Sequence, residues 1–483
     1  MLLLLTCIIL LIAGYYVYGT FVEKVFGIDR SRPTPAITEA DGVDFVEMPT
    51  WKVFLIQLLD IAGIGPIFGP ILGALYGPQA LLWVVFGSIF AGAVHDFFSG
   101  MLSVRNKGQN IPEVVGDALG MPARHVMRFF SVLLLLLVGV VFVLSPAKLL
   151  SEMTGVNVTA LVLAIFAYYF IATIVPINAV IGRLYPIFGA LLVFMTVGVA
   201  GGLIFGGYEL VPNQNFFVNV HPGGAPLWPL LFIVLSCGAI SGFHSTQSPL
   251  MARCLKTETD ARFVFYGAMI LEGIIALVWV AVGLSFYQSP EAMNAVIASG
   301  SPSAVVNEVS TTLLGPVGGF LAIVGVIILP ITSGDTAFRS TRLILADVFK
   351  MSQKPVSKRL LIAIPLFIVG YVVSTQDFNL IWRYFGWANQ TLAMLVLWAA
   401  AIYLVRADKA QYHWMASLPA AFMTAVSITF IAFSPIGFNL PYNVAVILGI
   451  VAALGSLAAF IIKSHSWRKP RVSAGRNKSI GVA

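Results

Sequence analysis

Seven ionisable side chains stand inside long apolar runs of this sequence: Asp60, His95, Asp96, His244, Glu272, Asp335 and Arg383. In hydrocarbon such groups are costly, and the function that retains them is proton relay, ion binding or contact with a charged solute. Two stretches also interrupt the apolar pattern with glycine and proline. The first reads Leu58, Leu59, Asp60, Ile61, Ala62, Gly63, Ile64, Gly65, Pro66; the second runs from Cys237, Gly238, Ala239, Ile240, Ser241 and Gly242 through Phe243 and His244 to Ser245, Thr246, Gln247 and Ser248. A helix broken there exposes free amides at the start of its second half, after Gly65 and after Gly242, and these attract negative charge. Neither stretch contains Lys or Arg. A small anion would therefore be held by backbone at Gly63, Gly65, Gly238 and Gly242 with Ser241, His244, Ser245, Thr246 and Gln247, although the same hydroxyls could simply cap the helix.

A carboxylate without a basic partner at membrane depth either keeps its proton or holds a cation, so Asp60, Asp96, Glu272 and Asp335 point to coupling with H+ or Na+. Local alternatives stand beside that reading. Asp335 precedes Arg339 by four residues, the spacing of an ion pair on one helix face. Asp60 could bond the amides freed by the break, and Glu272 neighbouring hydroxyls. Adjacent residues on a helix point about 100° apart, so His95 and Asp96 are expected to serve different neighbours rather than each other. Arg383, beside Trp382, Tyr384 and Phe385, either snorkels to the interface or forms an outer gate that first meets an anionic solute. Asn389, Gln390 and Thr391 add polar groups to the same run. Two other chemistries use the same residues. Asp60, Cys237 and His244 could converge on a divalent metal in transit, and His95, Asp96 and a serine could form an intramembrane hydrolase, though no Gly-x-Ser-x-Gly nucleophile motif is present.

The elements that carry these residues follow from composition. Of 483 residues, 59% are apolar and 10% charged, against roughly 25% charged in soluble domains. The chain is all-helical and embedded in lipid. Cys7, Cys237 and Cys254 fit neither a disulfide scaffold nor a zinc module. The net charge of +7 is scattered between apolar runs rather than gathered in a stripe, which excludes nucleic acid and points to lipid headgroups. A ruler of about 20 apolar residues per crossing gives about thirteen helices: 2–21, 53–77, 79–104, 126–147, 157–175, 184–207, 228–254, 260–286, 315–338, 359–375, 378–405, 413–434 and 442–463. The first has no positively charged n-region, and Tyr15, Tyr16 and Tyr18 stand where a small-residue cleavage site would be, so it is read as a retained helix. Residues 110–120, with Asn110 and Glu113 in capping-box spacing, suit a short interfacial helix.

Orientation follows from Lys and Arg, which stay on the cytoplasmic side. With Met1 outside and the C-terminus inside, 26 of the 28 basic residues, Arg183 among them, fall in cytoplasmic loops or flanks, and only Lys148 and Arg383 do not. The tail, with Arg468, Lys469, Arg471, Arg476 and Lys478, is expected to lie at anionic lipid. The chain then divides into a leading helix and linker (1–52), a first five-helix half (53–207), an outer loop (208–227), a second half (228–405), two further helices (406–463) and the tail (464–483). Five crossings per half place the second upside down relative to the first. Each half opens on a broken helix, the pattern of an inverted repeat whose substrate site lies where the breaks meet.

Three runs carry a family resemblance: Ala93 to Gly100 (AVHDFFSG), Cys237 to His244 (CGAISGFH) and Thr332 to Arg339 (TSGDTAFR). They resemble the carbon-starvation (CstA) family of bacterial inner-membrane transporters, over about residues 50 to 405. The resemblance implies a LeuT-like architecture of five plus five helices and uptake of peptides or pyruvate with protons. The chain looks like a short form, and residues 245–249 depart from the longer members. In LeuT-like relatives, hydroxyls at the positions of Thr332 and Ser333 face carbonyls of the first broken helix and bind Na+; hydroxyls also satisfy backbone beside a kink such as Pro330. The expectation is a cation-coupled importer of a small carboxylate, pyruvate first and short peptides second, with no resident metal or organic cofactor, working by alternating access, with Asp96, helped by His95, changing protonation.

Overall fold

The computed structural model describes residues 2–174, 177–212 and 215–467, the side chains of Glu152, Asn379 and residues 174–185 excepted. Arg183 and the basic tail beyond Trp467 therefore lie outside the described side chains and residues. In lipid only internally bonded backbone is stable, and the apolar runs accordingly form helices. We number these α1 (Leu2–Phe26), α2 (Thr50–Ala62), α3 (Gly65–Ala74), α4 (Gln79–Arg105), α5 (Met121–Thr154), α6 (Val158–Ile174), α7 (Ile177–Phe205), α8 (Leu227–Val234), α9 (Gly242–Ala252), α10 (Glu258–Ser285), α11 (Pro302–Val348), α12 (Val356–Ser374), α13 (Phe378–Arg406), α14 (Trp414–Phe433) and α15 (Tyr442–Trp467).

Ten helices among the described residues are long and apolar enough to cross a membrane, and α2 with α3 forms an additional bent pair. The expectation of about thirteen crossings resolves into these, the shorter α6, and the divided segment of α8 and α9. Within α11 the helix is kinked at Gly315 and again contains Pro330, so the expected span 315–338 is its central part.

Both interruptions are real breaks. Between α2 and α3 the chain turns through 44° at Gly63, whose φ of +43° and ψ of −139° lie outside what a side chain tolerates. Between α8 and α9 residues 235–241 are not helical; Gly238 has φ +85° and Ser241 is extended.

Burial separates an inner set of helices from an outer one. The most apolar windows of α4 and α10 are 78% and 83% buried, whereas that of α15 is 22% buried and faces outward. A widened π-helical turn, Ser88–Gly92, interrupts α4 shortly before His95 and Asp96, a deformation often found beside functional residues.

The linker between α1 and α2 closes one end of the bundle, the end that carries Arg105, Arg253, Arg339 and Arg406. Thr34 Oγ1 donates to Leu255 O at 2.5 Å, Met48 N to Cys254 O at 3.2 Å, and Asp44 pairs with Arg339 at 3.5 Å. Arg253 stacks over the Phe45 ring at 5.0 Å. A short helix, Ile111–Leu119, forms as expected, but without the capping box: Asn110 donates to Asp347 and accepts from Arg253, while Glu113 pairs with Arg128 and Arg124. Stronger charged partners nearby outcompete the helix's own amides.

Candidate functional site

The two breaks lie against one another. A Cβ placed on Gly65 would sit 2.4 Å from the Cβ and Sγ of Cys237, and one on Gly69 would sit 2.8 Å from Val234 O. A Cβ on Gly238 would sit 2.5 Å from the Cβ of Ala276 and in ordinary contact with Pro66, at 3.8 Å. Small residues are required here because two backbones approach within the space of one side chain.

The start of α9 is capped from another helix. Asn389 Oδ1, on α13, accepts from Phe243 N at 2.7 Å and from Ser241 Oγ at 3.1 Å, while Asn389 Nδ2 has no partner among the described residues. Next to it, Ser245 Oγ donates to Gly242 O, Thr246 Oγ1 to Phe243 O, and Ser248 Oγ to His244 O, so these hydroxyls are used within their own helix. Gln247 Nε2 donates to Thr246 Oγ1, and its Oε1 has no partner among the described residues. Sequence reading placed Asn389 among polar groups of its run but assigned it no role in the site. Ser88, whose Oγ donates to Gly238 O at 2.8 Å, and Gln390, whose Nε2 donates to Phe232 O at 2.5 Å, were missed as supports of the second break.

Four fully buried ionisable side chains from three helices form a continuous chain beside the breaks. Asp96 Oδ1 lies 2.8 Å from His95 Nδ1, and Asp96 Oδ2 lies 2.8 Å from His244 Nδ1. His244 Nε2 in turn faces Glu272 Oε2 at 3.3 Å, and Glu272 Oε1 accepts from Gly238 N at 3.1 Å. The expectation that His95 and Asp96 serve only different neighbours is corrected. The 100° rotation separates their Cβ atoms, yet an imidazole is long enough to reach back across it.

With Asp96 ionised, this chain calls for a proton or a cation at its far end. Ionised Asp96 is an acceptor only, so His244 presents Nδ1–H to it, and neutral His244 would then aim the lone pair of Nε2 at the carboxylate of Glu272. Two acceptors 3.3 Å apart repel unless a proton resides on one of them or a cation lies between. Cys237 Sγ, His244 and Glu272 offer ligand atoms within 4.8 Å of one another. The set a divalent ion would meet is thus not the Asp60, Cys237 and His244 expected from sequence, because Glu272 of α10 occupies that place.

The remaining candidates lie apart from this chain. Ser333 Oγ donates to Leu59 O at 2.8 Å, joining α11 to the first broken span one residue before buried Asp60, whereas Thr332 Oγ1 bonds back to Leu329 O. The expected Asp335–Arg339 ion pair is absent. Arg339 reaches Asp44 and the carbonyl of Ala172 instead, and both carboxylate oxygens of Asp335 lack a hydrogen-bond partner among the described residues. At the opposite end of the molecule Arg383 is exposed, and the cleft there is lined by Lys148 rather than by Arg383.

Two broken spans that meet inside a bundle of continuous helices are the arrangement of the LeuT-like fold. The chain belongs to the family described as carbon starvation protein CstA, which matches residues 1–159, 143–318 and 291–431. An uncharacterised membrane protein of Haemophilus influenzae is 47% identical over 346 residues, covering 61% of this chain and 93% of its own. The peptide transporter CstA of Campylobacter jejuni is 27% identical over 86% of this chain and 77% of its own. The pyruvate/proton symporter BtsT of Escherichia coli is 27% identical over 55% of this chain and 46% of its own. Among solved structures, a nucleobase-cation-symport-1 family transporter in a closed conformation superposes with a TM-score of 0.56 at 16% identity, covering 86% of this chain and 92% of that one. A manganese transporter of Eremococcus coleocola does so with 0.55 at 13%, covering 89% and 99%. These likenesses fix the fold.

Proposed function

We propose that the protein is a proton-coupled importer of small carboxylates, pyruvate first and short peptides second, in the bacterial inner membrane, with its N-terminus outside and its C-terminus in the cytoplasm. The observation that carries this reading is the 3.3 Å approach of His244 Nε2 to Glu272 Oε2, which calls for one proton between two buried groups. The Asp96 bond holds the ring in the orientation that makes this so. The solute's carboxylate is received at the start of α9, where the free Nδ2 of Asn389 and the Ser241 hydroxyl border the helix N-terminus.

Proton and solute then belong to one site. Protonation of the His244–Glu272 pair removes negative charge from beside Gly238, the residue that links Glu272 to the second break. An anion is accepted next to the break once that charge is gone, and release toward the cytoplasm returns both. Relatives named as a peptide transporter and as a pyruvate/proton symporter agree with this assignment. The inner end opens by withdrawal of the 27–49 linker, whose Asp44–Arg339 pair and backbone bonds close it here.

Uptake of labelled pyruvate and of labelled dialanine into proteoliposomes, with an inwardly directed pH gradient, tests the reading. Accumulation that collapses with a protonophore supports it. Accumulation driven by a Na+ gradient at equal pH would shift the coupling ion to the Ser333–Leu59 contact, and transport of a divalent metal without carboxylate would replace the reading altogether.

A further inference from the structure

The end of the molecule opposite the linker holds a cleft of about 640 Å³ between α3, α5, the segment leading into α11 and the start of α13. Lys148 lies in its wall, and with Arg383 it is one of only two basic residues outside the cytoplasmic set. The ammonium of Lys148 stands 5.0 Å from the centroid of the Phe378 ring, and among the described residues no carboxylate lies within ion-pair distance of it. Asp377, the acidic residue in the described lining of the cleft, caps α13: its Oδ1 accepts from Leu380 N at 3.0 Å, where the helix dipole favours its negative charge. Among the described residues Lys148 is thus the cation of a wall that also carries Ser299, Ser301, Ser374 and Gln376, and its ammonium attracts entering anions.

The floor of this cleft connects it to the breaks. Phe68, on the first turns of α3, closes it against Trp382 of α13, with ring centroids 6.2 Å apart. The next residue, Gly69, rests against Val234 O at the entry to the second break. The Phe68–Trp382 contact thus links the cleft to the helix that packs on the second break.

We propose that this cleft is a first binding station for carboxylate solutes, with Lys148 holding the carboxylate and the Phe68–Trp382 pair acting as the door to the central site. The inference rests on the import reading above. Being a charge interaction in a solvent-connected cleft, it governs capture rather than the later conformational steps, and it weakens as salt screens it.

The test is the KM and Vmax of pyruvate uptake by proteoliposomes containing the parent, K148Q, K148R or K148E, at low and high ionic strength. The expected result is a KM raised about tenfold in K148Q and further in K148E, a Vmax within about twofold of the parent, near-parent behaviour in K148R, and a gap between parent and K148Q that narrows at high salt. A KM in K148Q and K148E equal to the parent's, with uptake intact, overturns the station and leaves the import reading standing. Absence of carboxylate uptake by the parent itself overturns the import reading and the station with it.

Discussion

His244 bridges two carboxylates, with Nδ1 2.8 Å from Asp96 Oδ2 and Nε2 3.3 Å from Glu272 Oε2. The three residues come from α9, α4 and α10, so any rotation of α9 about the second break changes both contacts at once. A proton held in this bridge is thereby tied to the geometry of the broken span.

Asp96→Asn removes the charge that orients His244. The variant is expected to be less stable by about 1–3 kcal/mol, the cost of leaving a buried group badly paired. Its uptake of pyruvate is expected to be indifferent to an imposed pH gradient that accelerates the parent. Paired uptake measurements with and without the gradient, together with a thermal melt in detergent, check both parts.

Glu272→Gln tests the proton itself. An amide at this position can donate to His244 Nε2 without a titratable proton, which imitates the loaded bridge. Pyruvate binding to the parent is expected to tighten as pH falls, since the proton is taken up with the anion. In the variant binding should persist and lose that dependence, as read by calorimetric titration at two pH values.

Asn389 acts on the second break from α13. Replacing it with Ala leaves Phe243 N and Ser241 Oγ without their acceptor, and loss of a helix cap costs about 0.5–2 kcal/mol. Asn389→Asp keeps the acceptor and should restore stability, but it places a negative charge where the anion is received. Melting curves are expected to separate Ala from Asp, and pyruvate affinity to fall in both.

Close contact between the breaks predicts steric sensitivity. Gly65→Ala collides with Cys237 and Gly242→Ala with the backbone oxygen of Asn389 at 2.2 Å; overpacking of this kind costs about 1–3 kcal/mol. Gly455, on α15, has no atom within 4 Å of its added Cβ, and Gly455→Ala should stay within about 0.5 kcal/mol of the parent. Expression and melting temperature of the three variants provide the comparison.

The seal formed by the linker should be open to chemical probing. Cys254 is fully buried beneath the linker, its carbonyl bonded to Met48 N. Asp44→Ala removes the partner that holds the linker to Arg339. A hydrogen bond to a charged group contributes about 1.5–3 kcal/mol, so labelling of Cys254 by a thiol reagent, located by peptide mass, should quicken about tenfold or more.

Much of the architecture was readable in advance because it depends on local properties. Hydropathy over a single crossing marks the helices, and glycine and proline mark the breaks at Gly63 and Gly238, since backbone that cannot be bonded to lipid must be bonded within its own segment. The meeting of those breaks followed from their matching positions in the two halves. Pairings were another matter. Asp335 stood at ion-pair spacing from Arg339, yet the arginine turns to Asp44 in a linker nearly 300 residues away in sequence. Asp60 was placed with Cys237 and His244, and Glu272 occupies that position.

The amino-acid order alone determined that this chain resides in a membrane, where its helices run and where two of them come apart, because each of those outcomes is decided within some twenty residues by the match between side chains and hydrocarbon. Only the tertiary structure decided that His244 faces Glu272, that Asn389 caps a helix not its own, and that Lys148 rather than Arg383 lines the cleft opposite the linker. Those relationships depend on how each helix is rotated against its neighbours, and rotation is settled by the packing of all of them together.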